Sequence, residues 1–270
     1  MPEGDTVWLA ARRMDQALAG QVVTRFELRT PALALVDLTG STVRSVAPVG
    51  KHMLTRFDDP RAGEVTLHSH FRMDGSWRLS RPGAAPGGGP EHQIRAIIAN
   101  ADWQATGLRL HDLAILPTAH EDRVIGHLGP DILHPEWATT GAARAAELIA
   151  ADPVRAIGES VLDQRLVAGI GNLYKAETLF VERVNPWTAV VDVDVPALLR
   201  TAHRLMRLNR DHPEQSTTGR TGRGEDHWVY GRARQPCLRC RTPIVTAYQG
   251  DRAQERIAFW CPRCQPGGPG

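Results

Sequence analysis

Four cysteines lie in two Cys-x-x-Cys pairs, Cys237–Cys240 and Cys261–Cys264, with 20 residues between the pairs. Each pair presents two thiolates on one tight knuckle, and two knuckles complete a closed tetrahedral zinc site. With all four positions filled by protein, no place remains for a catalytic water, so one structural Zn²⁺ is expected. Four clustered cysteines are too few for a disulfide framework, and the N-terminus lacks the basic-then-apolar pattern of a secretory signal. Both features point to the cytoplasm. The apolar runs Ile244–Tyr248 and Ile257–Trp260 flank a Gln249-Gly250-Asp251 turn, so the metal is expected to hold a two-stranded hairpin rich in arginine: Arg239, Arg241, Arg252, Arg256 and Arg263.

A second chemical signal is the scarcity of lysine: of 32 basic residues only Lys51 and Lys175 are lysines. Arginine replaces lysine freely on a surface but not where a compact, titratable amine is needed. Charge is also uneven. Residues 200–270 hold 13 arginines against 6 acids, or +7, which leaves 19 basic and 24 acidic side chains, or −5, in residues 1–199. A polyanion would be gripped at the basic end, although an arginine-rich solvated surface has the same composition.

The elements that position these groups follow from the hydrophobic period. Val7, Ala10, Ala11, Met14 and Leu18 recur at helical spacing before Gly20, which predicts an opening helix over 6–19. From Gln21 to about Leu116 short alternating runs separated by Gly and Pro predict a β-sandwich or flattened barrel. Arg81–Pro90 (RPGAAPGGGP) reads as a loop. Helical spacing returns at Thr140–Ala151, Glu159–Leu166, Asn172–Val184 and Pro196–Asn209, and Asn172 is expected to cap its helix after a Gly-punctuated turn. The chain is 270 residues long with 42% apolar residues, enough for more than one core, and no stretch approaches the about 20 apolar residues of a membrane helix. The expected fold is multi-domain α+β. A β-sandwich with its opening helix spans 1–131, a helical domain 132–226 and a zinc module 227–270.

Several separated motifs share one register: Pro2-Glu3-Gly4-Asp5, Gly50-Lys51, His70-Phe71-Arg72-Met73-Asp74-Gly75, Leu128-Gly129-Pro130-Asp131, Leu162-Asp163-Gln164, Ala168-Gly169-Ile170-Gly171-Asn172, Val229-Tyr230-Gly231-Arg232 and the cysteine pairs. From end to end the chain resembles the formamidopyrimidine-DNA glycosylase and endonuclease VIII family. The resemblance implies a β-sandwich followed by a helix-two-turn-helix domain and a zinc finger, acting on damaged DNA as a monomer without membrane contact. It implies that Pro2, exposed once Met1 is removed, is the nucleophile, Glu3 the general acid/base and Lys51 the family's strand lysine. Asn172 and Arg256 are implied as phosphate contacts, Met73 with Arg72 as a wedge into the emptied base stack, and His127 as the counterpart of a DNA-contacting arginine.

The residue types suit that chemistry. An N-terminal proline is a secondary amine in the α-amino pKa range of about 7.7–8.0, so a neutral fraction exists at neutral pH. Its attack on the sugar C1′ expels the base and gives a cationic iminium, which drains electrons from the neighbouring carbon and permits β- and then δ-elimination of the flanking phosphates. The opening PEGDTV, the short 217–228 loop and Leu110-His111-Asp112-Leu113 in place of an arginine- and phenylalanine-bearing run resemble the endonuclease VIII branch and imply oxidised pyrimidines. Two alternatives stay open: a glycosylase for oxidised purines, and a zinc-finger protein that binds nucleic acid without cutting it.

Overall fold

A computed structural model describes residues 2–84, 90–220, 222, 224–251 and 255–268; Arg252 and part of the 81–90 loop lie outside them. The chain divides into two compact units, 1–127 and 128–270.

The N-terminal unit opens with α1 (Gly4–Leu18), whose Val7, Ala11, Met14 and Leu18 are buried at the expected helical spacing. Eight strands follow: β1 (Arg25–Leu28), β2 (Thr42–Val49), β3 (His52–Asp59), β4 (Gly63–His70), β5 (Ser76–Ser80), β6 (Ile94–Ala99), β7 (Gln104–Leu108) and β8 (Asp112–Pro117). They form two antiparallel four-stranded sheets, ordered β1-β6-β7-β5 and β2-β3-β4-β8. The sheets meet face to face: Phe26 of one and Phe57 of the other pack edge to face with centroids 5.8 Å apart, and the Trp77 indole donates to Ser69 Oγ at 3.1 Å.

Strand alternation sorts the second sheet into two faces. Met53 and Phe57 on β3 and Val65 and Leu67 on β4 join the core. Residues offset by one, His52, Leu54 and Arg56 on β3 and Thr66, His68 and His70 on β4, take the other face. The segment after β8 covers that face: Glu121, just before α2 (Asp122–Ile125), accepts from Arg56 at 2.7 and 2.8 Å and from Thr66 at 2.7 Å.

The second unit contains α3 (Gly141–Ala150), α4 (Ile157–Ser160), α5 (Asn172–Val181), α6 (Val195–Asn209) and the hairpin β9–β10 (Val245–Gln249, Arg256–Trp260). The helix expected over 159–166 is instead the single turn α4. Asp163 and Gln164 bond the backbone of the following turns, at Arg165 N, Leu162 O, Gly169 N and Ile170 O, and so hold the chain out of helix. Among the described residues no helix is long and apolar enough to cross a membrane.

Candidate functional site

At the start of the chain, Pro2 is partly exposed while Glu3, the next residue, is completely buried. Glu3 is the N-cap of α1 in extended conformation (φ −121°), and its carbonyl accepts from Val7 N at 3.1 Å. The helix thereby fixes the backbone immediately after the proline.

Lys51 stands at the tip of a two-residue hairpin, because Val49 pairs with His52 across the β2–β3 connection. Gly50 has φ 58° at the first central position, a left-handed conformation that favours glycine. Lys51 is thus held at one end of the second sheet rather than within a strand.

That end carries a group of polar side chains. His52 lies directly opposite His70 on β4, and His70 opposite Asp112 on β8, with His68 two residues behind His70 on the same face. His52 Nδ1 and His68 Nε2 are 2.7 Å apart, the rings of His52 and His70 are 4.7 Å apart, and His127 meets His52 edge-on at 5.9 Å. Burial drives the His52 pKa down to about 3, helped by the positive ends of His70, His68 and His127 when charged, and takes His70 down to about 4. His68 is lowered for the same reason. Partial burial opposes ionisation of Asp112, but Arg72 outweighs it and holds the carboxyl below the usual range.

The wedge candidates separate. Arg72, at φ 52°, is clasped to Asp112, and its backbone N–H donates to His70 Nδ1 at 3.0 Å. Met73 is 65% exposed at the tip of the turn closed by Gly75 N–H to Phe71 O. Asp74 binds the Arg109 guanidinium at 3.0 Å. Both side chains are exposed; Arg72 is held by Asp112, and Met73 is the apolar one of the two.

In the second unit Gln164 spans the glycine turn with its whole carboxamide: Oε1 accepts from Gly169 N, and Nε2 donates to Leu162 O and Ile170 O. Gly169 takes φ 103°, and a Cβ there would come within 3.0 Å of Ile132. The turn delivers the chain to α5, where Gly171 and not Asn172 is the N-cap. Asn172, the first helical residue, sends its Nδ2 to Ile257 O at 2.9 Å. That bond ties the start of α5 to β10 one residue from Arg256, which is exposed, so the two residues that the resemblance implies as phosphate contacts are brought to the same edge.

One residue of weight was missed from sequence. Glu177, fully buried on α5, accepts from the backbone N–H groups of Trp228, Val229 and Tyr230 at 2.7–2.8 Å and from the Thr217 hydroxyl. One carboxylate thus fastens both ends of the 217–228 loop.

The four cysteine sulfurs lie within 4.8 Å of one another, two buried and two partly exposed, and they can hold one metal ion. The knuckles are closed by Arg241 N–H to Cys237 O at 2.9 Å and Gln265 N–H to Cys261 O at 2.8 Å. A bond from Thr242 lowers the Cys240 thiol pKa to about 6, whereas burial raises those of Cys261 and Cys264. Phe180, Val229 and Ile244 pack the knuckles onto α5, and the Arg239 guanidinium lies 4.4 Å from the Phe180 ring centre.

The profile of the formamidopyrimidine-DNA glycosylase N-terminal domain matches residues 1–114 and that of the formamidopyrimidine-DNA glycosylase H2TH domain residues 128–209. The chain therefore belongs to the formamidopyrimidine-DNA glycosylase and endonuclease VIII family of DNA repair enzymes. It is 54% identical to the probable endonuclease 8 2 of Streptomyces coelicolor, over 99% of this chain and 95% of that protein. It is 40% identical to the DNA-(apurinic or apyrimidinic site) lyase Nei2 of Mycolicibacterium smegmatis, over 98% and 99% of the two chains. Lactococcus lactis Fpg in complex with abasic-site DNA has the same fold, with TM-score 0.79 at 21% identity, covering 98% of this chain and all of that one.

Proposed function

We propose that this DNA glycosylase and abasic-site lyase removes oxidised pyrimidines with Pro2 as nucleophile and Glu3 as general acid/base. The observation that carries the reading is a fully buried carboxyl directly after a proline that becomes the first residue when Met1 is removed. Directly beside the nucleophile, the Glu3 carboxyl is placed to pass a proton to the departing base or the sugar oxygen. The Pro2 nitrogen forms the bond to C1′ as the C1′–base bond breaks, and gives up its own proton. The C1′–O4′ bond then opens, with a proton passed to O4′, to give the iminium; loss of a C2′ proton lets the 3′ phosphate leave by β-elimination and the 5′ phosphate follows by δ-elimination. Lys51 places its positive charge by a flanking phosphate.

Asn172 and Arg256 supply the second phosphate grip, Met73 fills the gap left by the extruded base, and Arg72 holds that turn through Asp112. His127, exposed beside His52, contacts the DNA in place of the family's arginine. Cys237, Cys240, Cys261 and Cys264 hold one Zn²⁺ that fixes the hairpin and enters no step. The working division is a catalytic sandwich over 1–131, a helical grip over 132–226 and the finger over 227–270. Oxidised pyrimidines are favoured over purines by the 54% relative named endonuclease 8 and by the Leu110-His111-Asp112-Leu113 run, whose Asp112 is occupied by Arg72.

Borohydride trapping on a duplex carrying an oxidised pyrimidine tests this. A covalent adduct should form, and peptide mapping should place it on Pro2. An adduct on Lys51, or normal trapping by a chain that retains Met1, would overturn the assignment. Faster excision of 8-oxoguanine than of oxidised pyrimidines would overturn the substrate class.

A further inference from the structure

The reaction above uses Lys51 but leaves the imidazoles behind it without a task. Four histidines from three segments, His52 on β3, His68 and His70 on β4 and His127 after α2, gather around the His52 ring on the face of the sheet turned away from the sandwich core. The charged groups facing them are Lys51 from the β2–β3 hairpin, Arg72 from the turn after β4 and Asp112 from β8. Asp112 is the carboxylate of this set, and it is committed to Arg72. The His52–His68 pair, whose charged form burial disfavours, lies beside an amine and an acid, Asp112, already bound to Arg72, so an arriving anion favours added positive charge there.

The hydrogen bonds show where a proton would go. His70 Nδ1 accepts the Arg72 backbone N–H, so its own ring proton sits on Nε2 and the ring serves as a neutral donor. Between His52 Nδ1 and His68 Nε2, at 2.7 Å, one proton already forms the bridge. A further proton from solvent on the outer nitrogen of the donating ring, the one nitrogen of the pair with a free lone pair, turns the pair into a bridged imidazolium–imidazole. The bridge thereby becomes a stronger, charge-assisted bond.

We propose that His52 and His68 are positioning residues that hold Lys51 and His70 toward a DNA phosphate, and that the pair takes up a proton as the phosphate docks. The inference rests on the reading that Lys51 meets phosphate. The anion's charge works against the burial, and the smaller repulsion, that keep the pair neutral in the free protein, so binding tightens as pH falls from 7.5 to 6, by up to about tenfold per pH unit for one linked proton.

Calorimetric titration of the zinc-loaded full chain with a duplex carrying a tetrahydrofuran abasic analogue, at pH 6.5 in two buffers of different ionisation enthalpy, counts the protons directly. Wild type should take up on the order of half to one proton. His68→Gln keeps a hydrogen-bonding partner but cannot titrate, and it should lose most of the uptake and the pH slope. His127→Gln, at an exposed position, tests the same cluster without risk to folding and should shift the slope. No uptake by wild type, or wild-type uptake in both variants, would overturn the proposal. Lys51→Met keeps the two readings apart. Weakened binding by that variant alongside a proton-silent wild type rejects the histidine proposal alone, whereas unchanged binding rejects the phosphate contact on which it stands.

Discussion

The two units employ their polar side chains differently. In the second, Glu177, Gln164, Asn172, Gln265 and Arg232 all bond backbone: three consecutive N–H groups, the glycine turn, Ile257 O, the carbonyl of Val184, and the carbonyls of Trp228 and Pro236. In the first, at the Lys51 end of the sheet, side chains face one another: His52 against His68, and Arg72 against Asp112. Bonds to backbone fix a shape that ordinary changes of pH leave alone. Bonds between titratable side chains fix a shape whose charge can change. The first unit is thus suited to steps in which protons move and the second to a grip.

The largest test of that contrast lies at the reactive end. Glu3→Gln should lower base excision by about 10²–10⁴-fold while preserving part of the reaction with a preformed abasic site, measured as single-turnover rates on both substrates. An equal loss on both would assign Glu3 to binding or folding instead.

Zinc removal should act on the opposite unit. A chelator strong enough to extract the metal is expected to unfold the hairpin and abolish duplex binding while the first sandwich keeps its β signal in circular dichroism, because the four ligands lie within the second unit. Metal analysis that found no zinc in an active preparation would refute the site.

Next in size is Glu177→Gln. An amide offers one acceptor oxygen where the carboxylate offers two, and each buried N–H left unpaired costs about 1–3 kcal/mol. Chemical denaturation should show a loss of about 3 kcal/mol in the second unit, with substrate selectivity loosened because both ends of the 217–228 loop are released.

The first unit should instead respond to acid. His52 and His70 have pKa values lowered to about 3 and about 4 from the usual 6.5, so below pH 6.5 the unfolded chain binds protons that the folded one refuses. Stability present above pH 6.5 is lost as pH falls toward 4, by at most about 1.4 kcal/mol per pH unit for each group. Thermal melts at pH 7.5 and 5 measure it, and a midpoint that did not fall would contradict the buried, neutral state of the cluster. The smallest effect is expected from Arg256→Ala, whose exposed side chain should reduce the salt slope of DNA binding by about 0.9 and shorten δ-elimination with little change in folding.

What could be read in advance follows the same division. Alternation predicted the sandwich, and the helical period placed α1, α3, α5 and α6 to within a few residues, because those elements owe their form to a repeated apolar face. The Cys-x-x-Cys spacing revealed the cluster, because a knuckle is local. Glu177 left no local trace: its partners are backbone groups about fifty residues downstream, and backbone has no sequence signature. Asn172 was read as a cap because its type suits one, but its amide found a strand carbonyl 85 residues away. The histidine cluster was legible in principle. His68-x-His70 alternates onto one face and His52 follows Lys51, yet only strand register sets the three rings side by side.

Arg72 and Met73 are both exposed on the turn after β4, but Arg72 is clasped to Asp112, and the apolar tip of that turn is a thioether, 65% exposed. Thioether sulfur is among the protein groups most readily converted to a sulfoxide, and that conversion makes a pliable apolar tip polar and chiral. On the reading proposed above, a protein that acts on oxidised bases presents to the DNA, at Met73, a group open to the same agents that create its substrates. The damage is one that sulfoxide reductases reverse, so the tip can be restored without replacing the chain.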